Sequence, residues 1–136
     1  MPKTPRDQRD DDGTIVMLLT PTQEAEVQHG LDIDAADGNA DWGRIEHASR
    51  PGTEPASRRY RLLIAPGQEN LDAALYRITS SRDIPADNAG DSFNTPAERL
   101  GYLSLARSLE SLTQRLITIA GGPEAFSPDV RRWIRR

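Results

Sequence analysis

Two short apolar segments stand out in the pattern of hydrophobic and polar positions along the chain. Residues 14–19 read Thr-Ile-Val-Met-Leu-Leu, and residues 58–65 read Arg-Arg-Tyr-Arg-Leu-Leu-Ile-Ala. The first segment begins with β-branched side chains and lies between Gly13 and Pro21, which is typical of a short buried strand. We therefore predict a strand in each segment and a small two-stranded sheet formed by their pairing.

Three predicted helices begin with a hydroxyl residue followed by proline, at Thr20, Thr95 and Ser127. A hydroxyl at this position accepts a hydrogen bond from a free backbone N–H group, and proline is tolerated next because no donor is needed there. Gln23 and Glu98 follow three residues after the first two hydroxyls and complete a capping box. These signals predict where the helices begin.

Glycine, proline and the apolar spacing predict how far each helix extends. Gly30 is interpreted as the end of the first helix, and the Gly-Gly-Pro sequence at residues 121–123 as the end of the longest one. The predicted helices span residues 21–29, 41–48, 68–81, 96–120 and 128–135. Residues 14–136 are predicted to form a single small domain after a disordered tail at 1–13, with exposed loops near 32–40, 50–57 and 83–94.

The order of these elements predicts an α+β fold that is mainly helical. In this arrangement the small two-stranded sheet packs on the long helix of the C-terminal half of the chain. The apolar fraction of 36% and the ten glycines and ten prolines indicate a thin core with many loops. An all-α bundle is the alternative fold.

The long helix at residues 96–120 carries an apolar stripe with alternating spacings of three and four residues. Such a stripe is typical of a helix that packs along a partner helix. It suggests a non-enzymatic protein that binds another protein or self-associates, as a small adaptor, inhibitor or regulator. The predicted partner-binding residues are Tyr102, Leu105, Leu109, Leu112 and Leu116.

Charge is distributed unevenly and suggests a second function. Residues 1–57 carry twelve acidic and five basic side chains, whereas residues 58–136 carry nine acidic and twelve basic ones. Arginine interleaved with an aromatic residue suits phosphate contact and base stacking, so a nucleic-acid-binding regulator is the alternative. Its predicted contact residues are Arg58, Arg59, Arg61, Arg131, Arg132, Trp133, Arg135 and Arg136.

The C-terminal cluster also has a structural interpretation, which we prefer. In it, Trp133 and Ile134 dock on the core of the domain. The neighbouring arginines then form a solvated face, and their positive charge interacts favourably with the negative C-terminal end of the helix dipole.

Candidate chemistry is sparse. The chain has no cysteine, which excludes disulfides, thiolate catalysis and cysteine-bound zinc. His29 and His47 flank an acidic stretch, so a small metal-dependent enzyme is a third alternative. Asp37, Asn39 and Asp41 have the spacing of the first calcium ligands of an EF-hand loop, but Ala48 stands where the closing glutamate belongs.

These observations favour a protein without catalytic residues, bound metal or cofactor. The N-terminal residues contain no apolar segment of the kind found in signal peptides. The longest apolar run, residues 15–19, is too short to span a bilayer. We therefore expect a cytoplasmic protein that does not interact with membranes.

Overall fold

A computed structural model describes residues 7–39, 41–47 and 60–134, and these residues form an α+β fold that is mainly helical, as predicted. The elements in chain order are β1 (Gln8–Arg9), β2 (Ile15–Leu19), α1 (Pro21–Ala36), β3 (Gly43–His47), β4 (Tyr60–Ile64), α2 (Gln68–Ala89), α3 (Pro96–Ala120), a 3₁₀ turn (Pro123–Ala125) and α4 (Pro128–Arg131). The predicted loop near residues 50–57 lies outside the described residues.

The described part of the sheet has four antiparallel strands in the order β1-β2-β4-β3, rather than the two strands predicted. The predicted pairing of the two apolar segments is confirmed, with Met17 opposite Leu62 at its centre. The predicted helix at residues 41–48 is wrong, because residues 43–47 form the strand β3. A Cβ atom on Gly43 would lie 2.7 Å from the carbonyl oxygen of Leu63, so glycine permits the close approach of β3 to β4.

The strand β1 shows that the predicted disordered tail over residues 1–13 is wrong in part. Gln8 and Arg9 pair with β2, whereas residues 1–6 lie outside the described residues. Beyond β1, the side chain of Asp7 accepts a hydrogen bond from the Leu18 backbone N–H, and Arg115 donates to the Leu18 carbonyl. These two side chains thus form hydrogen bonds with the backbone N–H and carbonyl groups of Leu18 at the edge of β2, where no backbone partner is described.

Both α1 and α2 continue beyond the predicted ends. α1 passes Gly30 and ends at Ala36, so the segment predicted as a loop near 32–40 is helical in its first half. α2 passes Pro85, whose ring is buried, and ends at Ala89, which shortens the loop predicted near 83–94. Tertiary packing overrides the local preference of glycine and proline to end a helix at both positions.

The predicted start signals are confirmed at two helices and differ at the third. Thr20 and Thr95 each form a complete capping box, and Gly121 ends α3 in the left-handed conformation. Ser127 precedes α4 without a side-chain cap, because its hydroxyl donates to Asp72 Oδ2 of α2 instead. α4 is a single turn that ends at Arg131 rather than near residue 135.

One apolar cluster forms the core between the inner face of the sheet and the helices. Alternate residues of β2 and β4 point to this face, as the two-residue period of a strand requires. The largest fully buried side chains include Trp42, Phe126, Met17, Leu62, Leu75, Ile78, Leu109, Leu112 and Leu116. Trp42, which precedes β3, was not predicted to be a core residue.

Candidate functional site

Most of the apolar stripe predicted to bind a partner belongs to the core of the protein. Leu109, Leu112 and Leu116 are each 0% exposed and pack in the central cluster. The partner-binding role predicted for these three leucines is therefore corrected: they stabilise the fold. Tyr102 and Leu105, near the start of α3, remain partly exposed and line a groove.

This groove lies between α1, α2 and α3 and has a volume of about 350 Å³. On its rim, Ile84 of α2 is 66% exposed, and Ile33 of α1 is 36% exposed. The residues that line it are Glu26, His29, Ile33, Arg77, Ser80, Ser81, Ile84, Pro85, Asn88, Tyr102 and Leu105. The groove therefore combines apolar side chains with hydroxyl, amide and charged groups, and we call it the α1–α3 groove.

A buried ion pair holds α1, one wall of the groove, against α2. The carboxylate of Asp34 is almost fully buried and accepts hydrogen bonds from Arg77 Nε at 3.1 Å and Trp42 Nε1 at 3.0 Å. Arg77 Nη2 donates to the other carboxylate oxygen, so that the guanidinium makes a bidentate contact. The three side chains thus join α2, α1 and the segment that enters β3.

Gly30 makes this ion pair possible. The Arg77 side chain lies directly across α1 at this position, and a Cβ atom on Gly30 would lie 2.5 Å from Arg77 Cδ. Any larger residue displaces the arginine from its path to Asp34. The glycine that local sequence rules interpret as a helix stop is instead a packing position inside α1.

The electrostatics of the pair keep both groups charged. Burial by itself raises the pKa of Asp34, but hydrogen bonds from Arg77 and Trp42 and the charge of Arg77 outweigh it and hold the pKa below its ordinary value of 3.8. The hydrogen bond to Asp34 raises the pKa of Arg77 in turn. The charge of Arg77 is therefore neutralised by Asp34 although Arg77 also lines the groove.

Glu26 differs from Arg77 because no described side chain neutralises it. It lies on the α1 wall of the groove and is partly buried. Ion pairs of the described residues involve Asp7, Asp34, Glu46, Asp83 and Glu110, but not Glu26. The groove thus carries an uncompensated carboxylate beside its apolar surface.

A second buried arginine, Arg82, fastens α2 to α3 and to the C-terminal turn. It donates to Glu110 Oε2 at 2.7 Å, to Asp83 Oδ1 at 3.0 Å and to the Trp133 carbonyl at 3.2 Å. Its guanidinium is almost fully buried. Arg77 and Arg82 therefore both serve to position helices.

The structure describes four of the eight residues predicted to bind nucleic acid. Arg58, Arg59, Arg135 and Arg136 lie outside the described residues. Arg61 is exposed on β4 and lies 3.5 Å from a carboxylate oxygen of Glu46. Arg131 donates to the carbonyl of Phe126. Only Arg132 and Trp133 form a described surface of the predicted kind.

Trp133 is partly buried rather than a fully buried core residue, whereas Val130 and Ile134 pack against the core. Its ring meets Tyr76 edge-on, with 5.9 Å between ring centroids. The Arg132 guanidinium lies 5.1 Å from the Trp133 ring centroid, a cation–π distance. We call Tyr76, Arg132 and Trp133 the C-terminal aromatic cluster.

The described side chains considered for metal binding do not converge, and the side chain of His47 lies outside the described residues. Asp37 caps α1, Asn39 donates to Asp34, and Asp41 is exposed. His29 lies in the α1–α3 groove. Within residues 7–39, 41–46 and 60–134, no three histidine, aspartate or glutamate side chains are arranged to hold a metal ion. The absence of specific ion binding at Asp37, Asn39 and Asp41 stays a prediction.

Sequence reasoning missed the two isoleucines of the groove because it placed them in loops. Ile84 precedes Pro85, and Ile33 follows Gly30 within an acidic stretch. The sequence contains one signal for Ile84. Leu75, Ile78 and Arg82 form the buried face of α2, and Pro85 continues this face at the same spacing, which indicates that the helix extends past Ile84.

Comparisons with known proteins supply no further constraint on function. No family model, no curated protein and no solved structure matches the chain. Among the helices of the described residues, none is long and apolar enough to cross a membrane. The functional interpretation accordingly depends on the two surfaces described above.

Proposed function

We propose that the protein acts by binding another protein in the α1–α3 groove, as a small adaptor, inhibitor or regulator without catalytic activity. The observation that carries the proposal is the exposure of Ile84 on the groove rim, beside partly buried Tyr102 and Leu105. Apolar side chains grouped around a depression and surrounded by polar groups are typical of protein-interaction sites.

The polar groups of the groove suit recognition. Ser80, Ser81 and Asn88 of α2 and the hydroxyl of Tyr102 supply donors and acceptors around the apolar centre. Arg77 and Asp34 neutralise each other beneath them and keep the two helical walls in place. A preformed groove of this kind binds with little loss of conformational freedom.

Photo-crosslinking in the cells that produce the protein tests this proposal. Benzoylphenylalanine replaces Ile84 in one variant and Leu100 in a control variant. Leu100 is 67% exposed on α3 but does not line the groove. We expect a light-dependent adduct at position 84 and not at position 100. An adduct at twice the chain mass of 15.1 kDa identifies self-association, and a larger or smaller one identifies a different protein.

Adducts of equal yield at both positions, or none at position 84, would contradict the proposal. The folded state of both variants is checked by circular dichroism before the comparison. Because both positions are exposed, neither substitution removes a core contact.

The C-terminal aromatic cluster supports nucleic-acid binding as a second candidate function. Tyr76 is 46% exposed and Arg132 is exposed, so a phosphate has access to the arginine and a base to the tyrosine. Both rings already have a cationic neighbour, since the Arg77 guanidinium lies 5.8 Å from the Tyr76 ring centroid. A base that stacks there has to compete with an arginine, which is why we rank this function second.

Fluorescence anisotropy with a labelled single-stranded oligonucleotide separates the two candidates. Nucleic-acid binding through Arg132 weakens steeply with salt, because each neutralised phosphate releases counterions. We expect the oligonucleotide to show no binding that both weakens with salt and is lost in Arg132→Ala. Binding that is lost in Arg132→Ala but kept in Arg107→Ala, a control at an exposed arginine of α3, would favour the second function.

A further inference from the structure

The charge of the α1–α3 groove narrows the class of partner, an inference that rests on the proposed function. α1 contains Glu24, Glu26, Asp32 and Asp34 and has no lysine or arginine. Asp34 is neutralised by Arg77, which leaves Glu26 as the partly buried carboxylate within the groove. Desolvation by an apolar partner disfavours this carboxylate unless the partner supplies a cation.

The cations near the groove are already committed to other groups. Arg77 binds Asp34, and Arg82 binds Glu110 and Asp83. Arg99, in the first turn of α3, donates to the Ala89 carbonyl at the end of α2. Arg77, the arginine that lines the groove, is therefore already paired with Asp34. His29, three residues along α1 from Glu26, is the other basic side chain of the lining, and no ion pair between the two is present among the described residues.

We infer that the partner docks as an amphipathic helix that places apolar side chains against Ile84 and Leu105 and a lysine or arginine beside Glu26. The groove runs between helices, and a helix presents anchors at spacings of three and four residues to such a surface. A volume of about 350 Å³ accommodates a few side chains rather than a whole helix. The partner helix thus lies on the groove and inserts only its anchors.

Three synthetic peptides test the inference. Each is about 18 residues long, which suffices for a helix, and each has the same leucine stripe. The polar positions are all lysine, all glutamine or all glutamate. Binding is measured by fluorescence anisotropy at two salt concentrations. We expect the lysine peptide to bind about tenfold more tightly than the glutamate peptide, with the glutamine peptide between them.

Two matched variants locate the charge effect. Glu26→Gln removes the carboxylate in the groove, and Glu24→Gln removes one from the same helix outside it. We expect Glu26→Gln to weaken the lysine peptide by about two- to fivefold and to leave the glutamine peptide unchanged. Equal weakening by both variants would show general attraction to an acidic helix and would overturn the inference.

A third variant, Ile84→Ser, separates failure of the inference from failure of the proposed function. If all three peptides bind equally and Ile84→Ser weakens them all, the groove binds helices without selecting basic ones, and only the inference fails. If the peptides bind and Ile84→Ser changes nothing, the groove is not their site, and the inference fails without deciding the proposed function. If no peptide binds, the helical partner is excluded, while crosslinking at position 84 continues to test the groove.

Discussion

The two ends of the α3 stripe have the same spacing of apolar residues and opposite surroundings. Leu109, Leu112 and Leu116 are sealed against the sheet and α2 in the C-terminal half of the helix. Leu105 and Tyr102, one and two turns closer to its start, are only partly covered. The spacing therefore identifies which face of the helix is apolar but does not identify what covers that face.

The sheet explains this difference. The C-terminal half of α3 lies against β2 and β1, where Arg115 donates to the Leu18 carbonyl and Arg9 donates to the Ala120 carbonyl. The N-terminal half lies beside the last turns of α2 and the groove wall formed by α1. Tyr102 and Leu105 line the groove there, which leaves the stripe open on one side.

The largest expected effect contrasts a buried and an open position of the stripe. Leu112→Ala leaves a cavity in a close-packed core and is expected to lower the free energy of unfolding by about 2–5 kcal/mol. Leu105→Ala removes a partly exposed side chain and is expected to cost less than about 1 kcal/mol. Urea unfolding of both variants measures the two values. Similar losses would mean that both ends of the stripe are equally buried.

A second expected effect concerns the ion pair that positions the groove wall. Asp34→Ala leaves the Arg77 guanidinium and the Trp42 indole N–H without their acceptor, and we expect a loss of about 3 kcal/mol. Asp32→Ala is the control, because this exposed carboxylate contacts only Gln28. Its expected loss is below about 0.5 kcal/mol. Equal losses in thermal or urea unfolding would show that the buried pair does not stabilise the α1–α2 contact.

Two glycines within helices provide a third comparison, with effects of opposite sign. Gly30→Ala places a methyl group on the path of Arg77 and is expected to destabilise by about 1–3 kcal/mol. Gly101→Ala meets no atom within 4 Å and is expected to stabilise by up to about 1 kcal/mol through helix propensity. Melting temperatures that rise for both variants would contradict the packing role of Gly30.

The smallest expected effect is a pH dependence that belongs to Asp34. Because the pKa of Asp34 is lowered in the folded state, its contribution to stability is fully present above the ordinary value of 3.8. That contribution is lost as the pH falls through the lower pKa of the folded state. The stability gap between the native protein and Asp34→Asn should therefore narrow as the pH is lowered from the ordinary value of 3.8 through the lower pKa of the folded state. Chemical unfolding across this range checks it, and a constant gap would exclude the effect.

The candidate site was predictable only in part. Tyr102 and Leu105 were identified from the stripe, and they remain partly exposed in the structure. Ile33 and Ile84 were missed because their place in the groove depends on helices that continue past Gly30 and Ser81. Glu26 lies within the predicted first helix and was missed because only the packing of three helices places it in a groove. Those continuations depend on Arg77 and on the packing of α2 against α3, which are contacts between residues far apart in the chain.

Local chemistry in the sequence determined the capped starts at Thr20 and Thr95, the end of α3 at Gly121 and the two central strands. The helix caps depend on backbone groups within a few residues of one another, and each strand depends on its own short run of apolar residues, so the sequence alone is sufficient to predict them. Only the tertiary structure decided that residues 43–47 form a strand and that the α3 stripe divides into core and groove. The physical reason is that both outcomes depend on which distant segment covers a surface, and no local pattern carries that information.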